Sequence, residues 1–175
     1  MSTHRQLSYF FNPKSIAVIG ASATPGKVGY NVLKNIIDSG FRGEIYPINP
    51  KSDELKTILD HPAFKSVLDV PDDIDIAIFV IPSKYVNSVV EECGKKGIKG
   101  LVIITAGFKE IGGEGITREK ELVKIAKKYD MRIIGPNCLG FIGKNYNGSF
   151  ASNTPKKGGI AMVSQSGAML TGMLI

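Results

Sequence analysis

Ile16-Ala-Val-Ile-Gly20-Ala-Ser-Ala-Thr-Pro-Gly26-Lys-Val-Gly29 runs from an apolar, β-branched segment through a glycine-rich turn into residues spaced for a helix. A strand, a tight turn and an amphipathic helix in that order form the first half of a βαβ unit. The strand core, Ile-Ala-Val-Ile, shows no polar alternation, which is what a strand covered on both faces requires. Val32, Leu33, Ile36 and Ile37 then fall on one face of the helix.

The same grammar repeats along the chain. Strands are predicted at Ser15–Gly20, Glu44–Ile48, Ile74–Ile81, Gly100–Thr105 and Arg132–Ile134. Two further helices are predicted from the faces Val86, Val89, Val90, Cys93 and Leu122, Ile125, Ala126, Tyr129. Strands alternating with helices predict a Rossmann-like, doubly wound parallel sheet in an α/β fold. Ser52 to His61 reads as a short helix stopped by Pro62. From Pro136 the chain turns to Gly, Asn, Ser, Pro and Lys without period, the composition of a connector. Gly159 to Gly167 then reads as a fresh strand and turn, with a helix starting before Ile175. The expected organisation is a nucleotide-binding domain over 7–135, a linker over 136–158, and the truncated start of a second, flavodoxin-like domain over 159–175.

With 175 residues, 43% hydrophobic and 22% charged, the chain can bury one sizeable core. It has no apolar run long enough to span a bilayer and no leader-like start, so a cytoplasmic protein is expected. Cys93 and Cys138 lack the spacing of a metal site and sit in apolar or glycine-rich surroundings, as buried free thiols do. The net charge of +6 favours anionic partners, but the lysines are spread along helical faces without interleaved aromatic residues. Neither nucleic acid nor membrane is expected as a partner.

The turn from Gly20 to Gly29 carries the chemistry. Glycines allow the backbone to approach a phosphate closely, and the free N–H groups and dipole of a helix start favour an anion. Gly20, Ala21, Ser22, Gly26, Lys27, Val28 and Gly29 are therefore the expected phosphate-binding residues. The spacing excludes a P-loop, because five residues separate Gly20 from Gly26 and Val28 follows the lysine. It also departs from GxGxxG. At the end of the second strand, Asn49-Pro-Lys51 replaces the acidic residue that an NAD domain places on its ribose. Lys51 suits an extra ribose phosphate, at the 3′ position in coenzyme A or the 2′ position in NADP. Ile81 and Pro82 after the third strand, and Thr105, Ala106 and Gly107 after the fourth, should line the same cleft.

Taken in order, Gly20-Ala-Ser, Pro25-Gly-Lys-Val-Gly29, Asn49-Pro-Lys51, Ile104-Thr-Ala-Gly-Phe108, Gly135-Pro-Asn-Cys-Leu-Gly140 and Val163-Ser-Gln-Ser-Gly167 resemble the ADP-forming acyl-CoA synthetases. The chain is more distantly similar to the α subunit of succinyl-CoA synthetase. The resemblance runs from about Leu7 to the last residue. It implies that the first domain holds coenzyme A through the glycine turn, Lys51 and the strand tips. It also implies a ligase for the parent protein, with acyl-CoA, ADP and phosphate exchanged for acid, CoA and ATP through a phosphohistidine. His4 and His61 do not match that histidine, which the resemblance places beyond Ile175. No catalytic residue or metal ligand is assigned to the chain. ATP, ADP and Mg would enter through an ATP-grasp-like domain or subunit. Ser164, Gln165, Ser166 and Gly167 resemble the second phosphate-binding turn of that family. Asp53 to Lys65 departs from the family pattern. Two other readings share the fold: a stand-alone CoA-binding module, which would not end in a half-built strand and helix, and an NADP-dependent oxidoreductase, for which no hydride-transfer site is visible.

Overall fold

The computed structural model describes residues 3–152 together with Gly159, Ser166, Gly167, Met169 and Gly172. In chain order the helices are α1 (Thr3–Phe11), α2 (Val28–Asp38), α3 (Ser52–Leu55), α4 (Ser83–Lys96) and α5 (Glu114–Lys128). The strands are β1 (Ser15–Ile19), β2 (Glu44–Ile48), β3 (Thr57–Ile58), β4 (His61–Pro62), β5 (Ile76–Phe79), β6 (Gly100–Ile103), β7 (Arg132–Ile134), β8 (Gly140–Ile142) and β9 (Asn147–Ser149).

Five strands pair in parallel in the order β2-β1-β5-β6-β7. Every residue of β1, β5 and β6 is buried, which explains the unbroken apolar runs. Successive side chains point to opposite faces. Ile16, Val18, Ile76, Ile78 and Val102 meet Val32, Leu33 and Ile36 of α2 and Phe10 of α1. Ala17, Ile19, Ala77, Phe79, Leu101 and Ile103 meet Val86 and Val90 of α4 and Leu122 and Ile125 of α5. Helices thus cover both faces, and the doubly wound sheet expected from the sequence is present. The chain leaves β1 over one face and β5 over the other, so the crevice of the topological switch opens at the carboxyl ends of these two strands.

Three segments differ from the sequence reading. The N-terminal residues form α1, which buries Phe10 against the sheet. The helix predicted over Ser52–His61 ends at Leu55. After it, β3 and β4 make a small antiparallel hairpin whose turn residues, Leu59 and Asp60, have φ of 49° and 65°. Positive φ at both central residues gives a turn whose twist matches the flanking strands. The third difference lies in the expected connector. Within it, β8 pairs with β9 and packs on α2, and Tyr146 between them is 1% exposed. Glycines and asparagines, which read as loop composition, here serve a tightly packed hairpin. The expected second-domain strand and turn, including Ser164 and Gln165, lie outside the described residues; Ser166 and Gly167 are described.

Tyr46 is buried on the α4 side and donates to the Asp72 carboxylate at 3.0 Å. Burial first, and the hydrogen bond to Asp72 second, push its hydroxyl up to about 12. An unfolded tyrosine releases its proton near pH 10, so between pH 10 and 12 the folded chain binds more protons than the unfolded one. Stability is therefore complete below pH 10 and falls as pH rises through that window, by about 2 kcal/mol from this group alone. Tyr46→Phe should flatten the alkaline limb of a urea-unfolding series measured from pH 8 to 11. An unchanged slope would show that other groups control it.

Candidate functional site

The turn after β1 is fastened by its neighbours. Gly20, at φ 90°, donates its N–H to the Ile48 carbonyl at 2.8 Å, and Val80 donates to the Ile19 carbonyl at 2.9 Å. Asn49 donates from Nδ2 to the Ala21 carbonyl at 2.7 Å. Beneath the turn, Gly29 of α2 lies directly against the Gly20 carbonyl, with no room for a side chain. Gly20, Ala21 and Gly29 thus act in packing, letting α2 start against the end of β1.

Outside that packed layer the turn is open. Gly26, at φ 83°, has nothing within 4 Å of where a Cβ would stand. Ser22 is half-buried and accepts from the Thr24 N–H at 3.1 Å. Lys27 is exposed, adopts extended backbone and precedes α2 at the N-cap position. Among the described residues no side chain caps that helix. Its first-turn N–H groups and its dipole are therefore presented to an external anion. Lys51, also exposed, precedes α3, and its backbone N–H donates to Asn49 Oδ1 at 2.8 Å. Its ammonium has no ion-pair partner among the described residues.

At the carboxyl ends of the neighbouring strands lies a cleft of about 1200 Å³. Val28, Ile81, Thr105 and Ala106, all expected from the sequence, line it, together with Val80 and Ile104. Thr105 donates from its hydroxyl to the Ile81 carbonyl at 2.8 Å, which ties the tips of β5 and β6 together. Pro82 stands at the start of α4 and is exposed. Gly107 does not line the cleft wall. Its N–H is held by the Glu110 carboxylate and its carbonyl by Arg118, so its backbone is already engaged. Burial acts to raise the Glu110 carboxyl, but the N–H groups of Gly107 and Phe108 outweigh it and hold the group below its ordinary value. Glu114 pairs with Arg118 at 3.8 Å.

The rest of the lining is built from Ile134 to Gly140 and from Phe150 to Ser152, none of them assigned from sequence, and from Gly167, which the sequence places in a second phosphate-binding turn. The block Gly135 to Gly140 carried the only available signal, a cluster of turn residues after the last strand. Cys138 is part of this lining, and burial pushes its thiol up, so it stays protonated and unreactive at neutral pH. Cys93, on the buried face of α4, is fully buried, and burial likewise pushes its thiol up.

The arrangement offers an uncapped helix start preceded by the exposed Lys27, with Val28 of its first turn lining a cleft that is more apolar than polar. A ligand combining a phosphorylated nucleotide with a long thin arm fits both parts, and the cleft exceeds what a compact small molecule needs.

The family described as CoA binding domain matches residues 14–144. An ADP-forming acetate–CoA ligase of Methanocaldococcus jannaschii is 54% identical over 171 residues, covering 97% of this chain and 23% of the relative. The α subunit of ADP-forming acetate–CoA ligase II of Pyrococcus furiosus is 51% identical over 170 residues, covering 96% of this chain and 36% of that subunit. Among solved structures, the dinucleotide forming acetyl-coenzyme A synthetase 1 of Candidatus Korarchaeum cryptofilum, in complex with phosphate and ADP, superposes with a TM-score of 0.90 at 40% identity. That match covers 96% of this chain and 36% of the other. The chain thus spans between about a quarter and just over a third of the length of these relatives.

Proposed function

The chain belongs to the CoA-binding domain family, and from that premise we propose that it holds coenzyme A for an ADP-forming acyl-CoA synthetase. The observation that carries this reading is the uncapped start of α2, preceded by the exposed Lys27 and lining the cleft at the ends of β5 and β6 through Val28, with the exposed Lys51 two residues beyond Asn49, which is bonded to the glycine turn. The pyrophosphate would sit at the turn formed by Gly20, Ala21, Ser22, Gly26, Lys27, Val28 and Gly29. The 3′-phosphate would meet Lys51. Adenine and the pantetheine arm would lie along Ile81, Pro82, Thr105 and Ala106; Gly107, whose N–H and carbonyl are already engaged, drops out of this set.

In the complete enzyme the reaction would be acyl-CoA + ADP + phosphate ⇌ acid + CoA + ATP. This chain's part is to bind and orient the thioester. The phosphorylated histidine is neither His4 nor His61, and ATP, ADP and Mg would be handled by an ATP-grasp-like part of the enzyme. Ser164 to Gly167 would supply a second phosphate-binding turn at the start of the next domain. The lysines are dispersed along helices, which does not favour nucleic acid or an acidic membrane as partner. Among the described residues no helix is long and apolar enough to cross a membrane, and a cytoplasmic enzyme is the reading we adopt.

Calorimetric titration with CoA, dephospho-CoA, NADP and NAD at one salt concentration tests this. CoA should bind most tightly. Removing its 3′-phosphate, or replacing Lys51 by alanine, should weaken binding about tenfold, the worth of one charge-assisted contact to phosphate. Preference for NADP would move the chain to an oxidoreductase; equal affinity for CoA and dephospho-CoA would remove the role given to Lys51.

A further inference from the structure

We propose that Asn49 is a positioning residue: it couples the glycine turn to Lys51 and thereby sets how strongly the site discriminates for a ribose 3′-phosphate. The inference rests on the coenzyme reading given above.

Asn49 is half-buried and follows β2 directly, where it is bonded on every side. Its Nδ2 donates to the Ala21 carbonyl at 2.7 Å, and its Oδ1 accepts from the Lys51 N–H at 2.8 Å. Its own N–H donates to the Phe64 carbonyl at 2.9 Å, and its carbonyl accepts from the Ser52 N–H at 3.0 Å. One planar amide therefore spans two loops that are separated by 28 positions at its Ala21 end. Only a side chain carrying donor and acceptor on one rigid group does both. Aspartate has no donor for the Ala21 carbonyl, and alanine has neither function.

Both ends of this bracket matter for an anion. Ala21 is fully buried, so its carbonyl is a fixed anchor at the base of the turn. Lys51 is exposed and sits where the chain enters the four-residue helix α3. The bond to Asn49 Oδ1 forms an Asx turn that fixes the backbone from which the Lys51 side chain departs. Without it the lysine must be ordered at the moment of binding, and that ordering cost is subtracted from its contact with phosphate. Ala21 keeps its own N–H bonds to the Val18 and Ile48 carbonyls when Asn49 is lost, so the turn stays in place and the cost falls on a ligand that uses Lys51. A purely structural role for Asn49 would weaken all nucleotides alike.

The test is a titration of the 175-residue chain and its variants with CoA and with dephospho-CoA, with far-UV circular dichroism and thermal melts recorded for each. In the unaltered chain CoA should bind about tenfold more tightly. Asn49→Ala should cut that preference to about threefold or less while changing dephospho-CoA affinity by less than about threefold. Added to Lys51→Ala, it should change the preference no further. Asn49→Ser can still accept from the Lys51 N–H but does not reach Ala21, so it should restore part of the preference; it also serves if the alanine variant does not fold. Equal weakening of both ligands, or no change in either, overturns the inference. A parent chain that binds neither ligand overturns the coenzyme reading, and one that binds both equally removes the role of Lys51 and this inference with it, results read before any variant is made.

Discussion

Gly29→Ala should destabilise the chain by about 3 kcal/mol or more and abolish measurable coenzyme binding. A methyl group at this position collides with the Gly20 carbonyl oxygen, stands 3.0 Å from the Gly20 carbonyl carbon and 3.3 Å from Ala21 Cα. All three are backbone atoms, and none is free to yield. Gly20 is held at φ 90° with its N–H on the Ile48 carbonyl, and Ala21 is anchored by Asn49. The first turn of α2 must therefore lift away from β1. That separation loosens Val32, Leu33 and Ile36 from the sheet and displaces the N–H groups proposed to face the pyrophosphate. Gly26→Ala is the control. It also imposes strain, because Gly26 has φ 83°, but it meets no neighbour and should cost only about 1–2 kcal/mol. Urea unfolding of both variants, with a CoA titration of each, checks this. Equal stability of the two would show that α2 is not pinned by its approach to Gly20.

The comparison between these glycines shows which parts of the molecule were legible in the sequence. Gly20, Gly26 and Gly29 announce a turn because glycine spacing is local information, and the apolar cores of β1, β5 and β6 announce buried strands for the same reason. The division of labour within the turn, two glycines for packing and one for an open surface, depends on where Val80, Ile81 and Ile48 stand. Those residues are brought there only by sheet pairing. Asn49, Glu110 and Arg118 escaped for the same reason: their partners are mostly backbone groups, which have no sequence signature. In the wall from Ile134 to Gly140, the stretch Gly135 to Gly140 is a block of motif residues, yet from Pro136 on it reads as a linker, because Gly, Pro and Asn look alike in a loop and at a lined cleft.

Tyr146→Ala should cost about 3–5 kcal/mol, as the loss of a buried aromatic ring does elsewhere. The ring is stacked on Phe141 at 5.4 Å between centroids and meets Phe41 edge-on at 5.9 Å. Its hydroxyl donates to the Phe10 carbonyl at 2.9 Å, joining the β8–β9 hairpin to α1. Tyr146→Phe retains the rings and leaves that carbonyl without its donor, so about 1–2 kcal/mol is expected. The difference between the two variants separates ring packing from the hydrogen bond. Asn35 of α2 holds the same hairpin from its other end, donating to the Ser149 and Ala151 carbonyls at 2.9 Å each. Phe150, Ala151 and Ser152, which follow directly, form one wall of the cleft. Loosening the hairpin should therefore weaken CoA binding as well as stability, although Tyr146 is buried and does not line the cleft. Unfolding midpoints in urea at constant slope, together with CoA affinities, provide the measurement. A cost near zero with affinity intact would make the hairpin a mere appendage; the expected loss of both makes it the element through which the α1–α2 side of the core supports the coenzyme site.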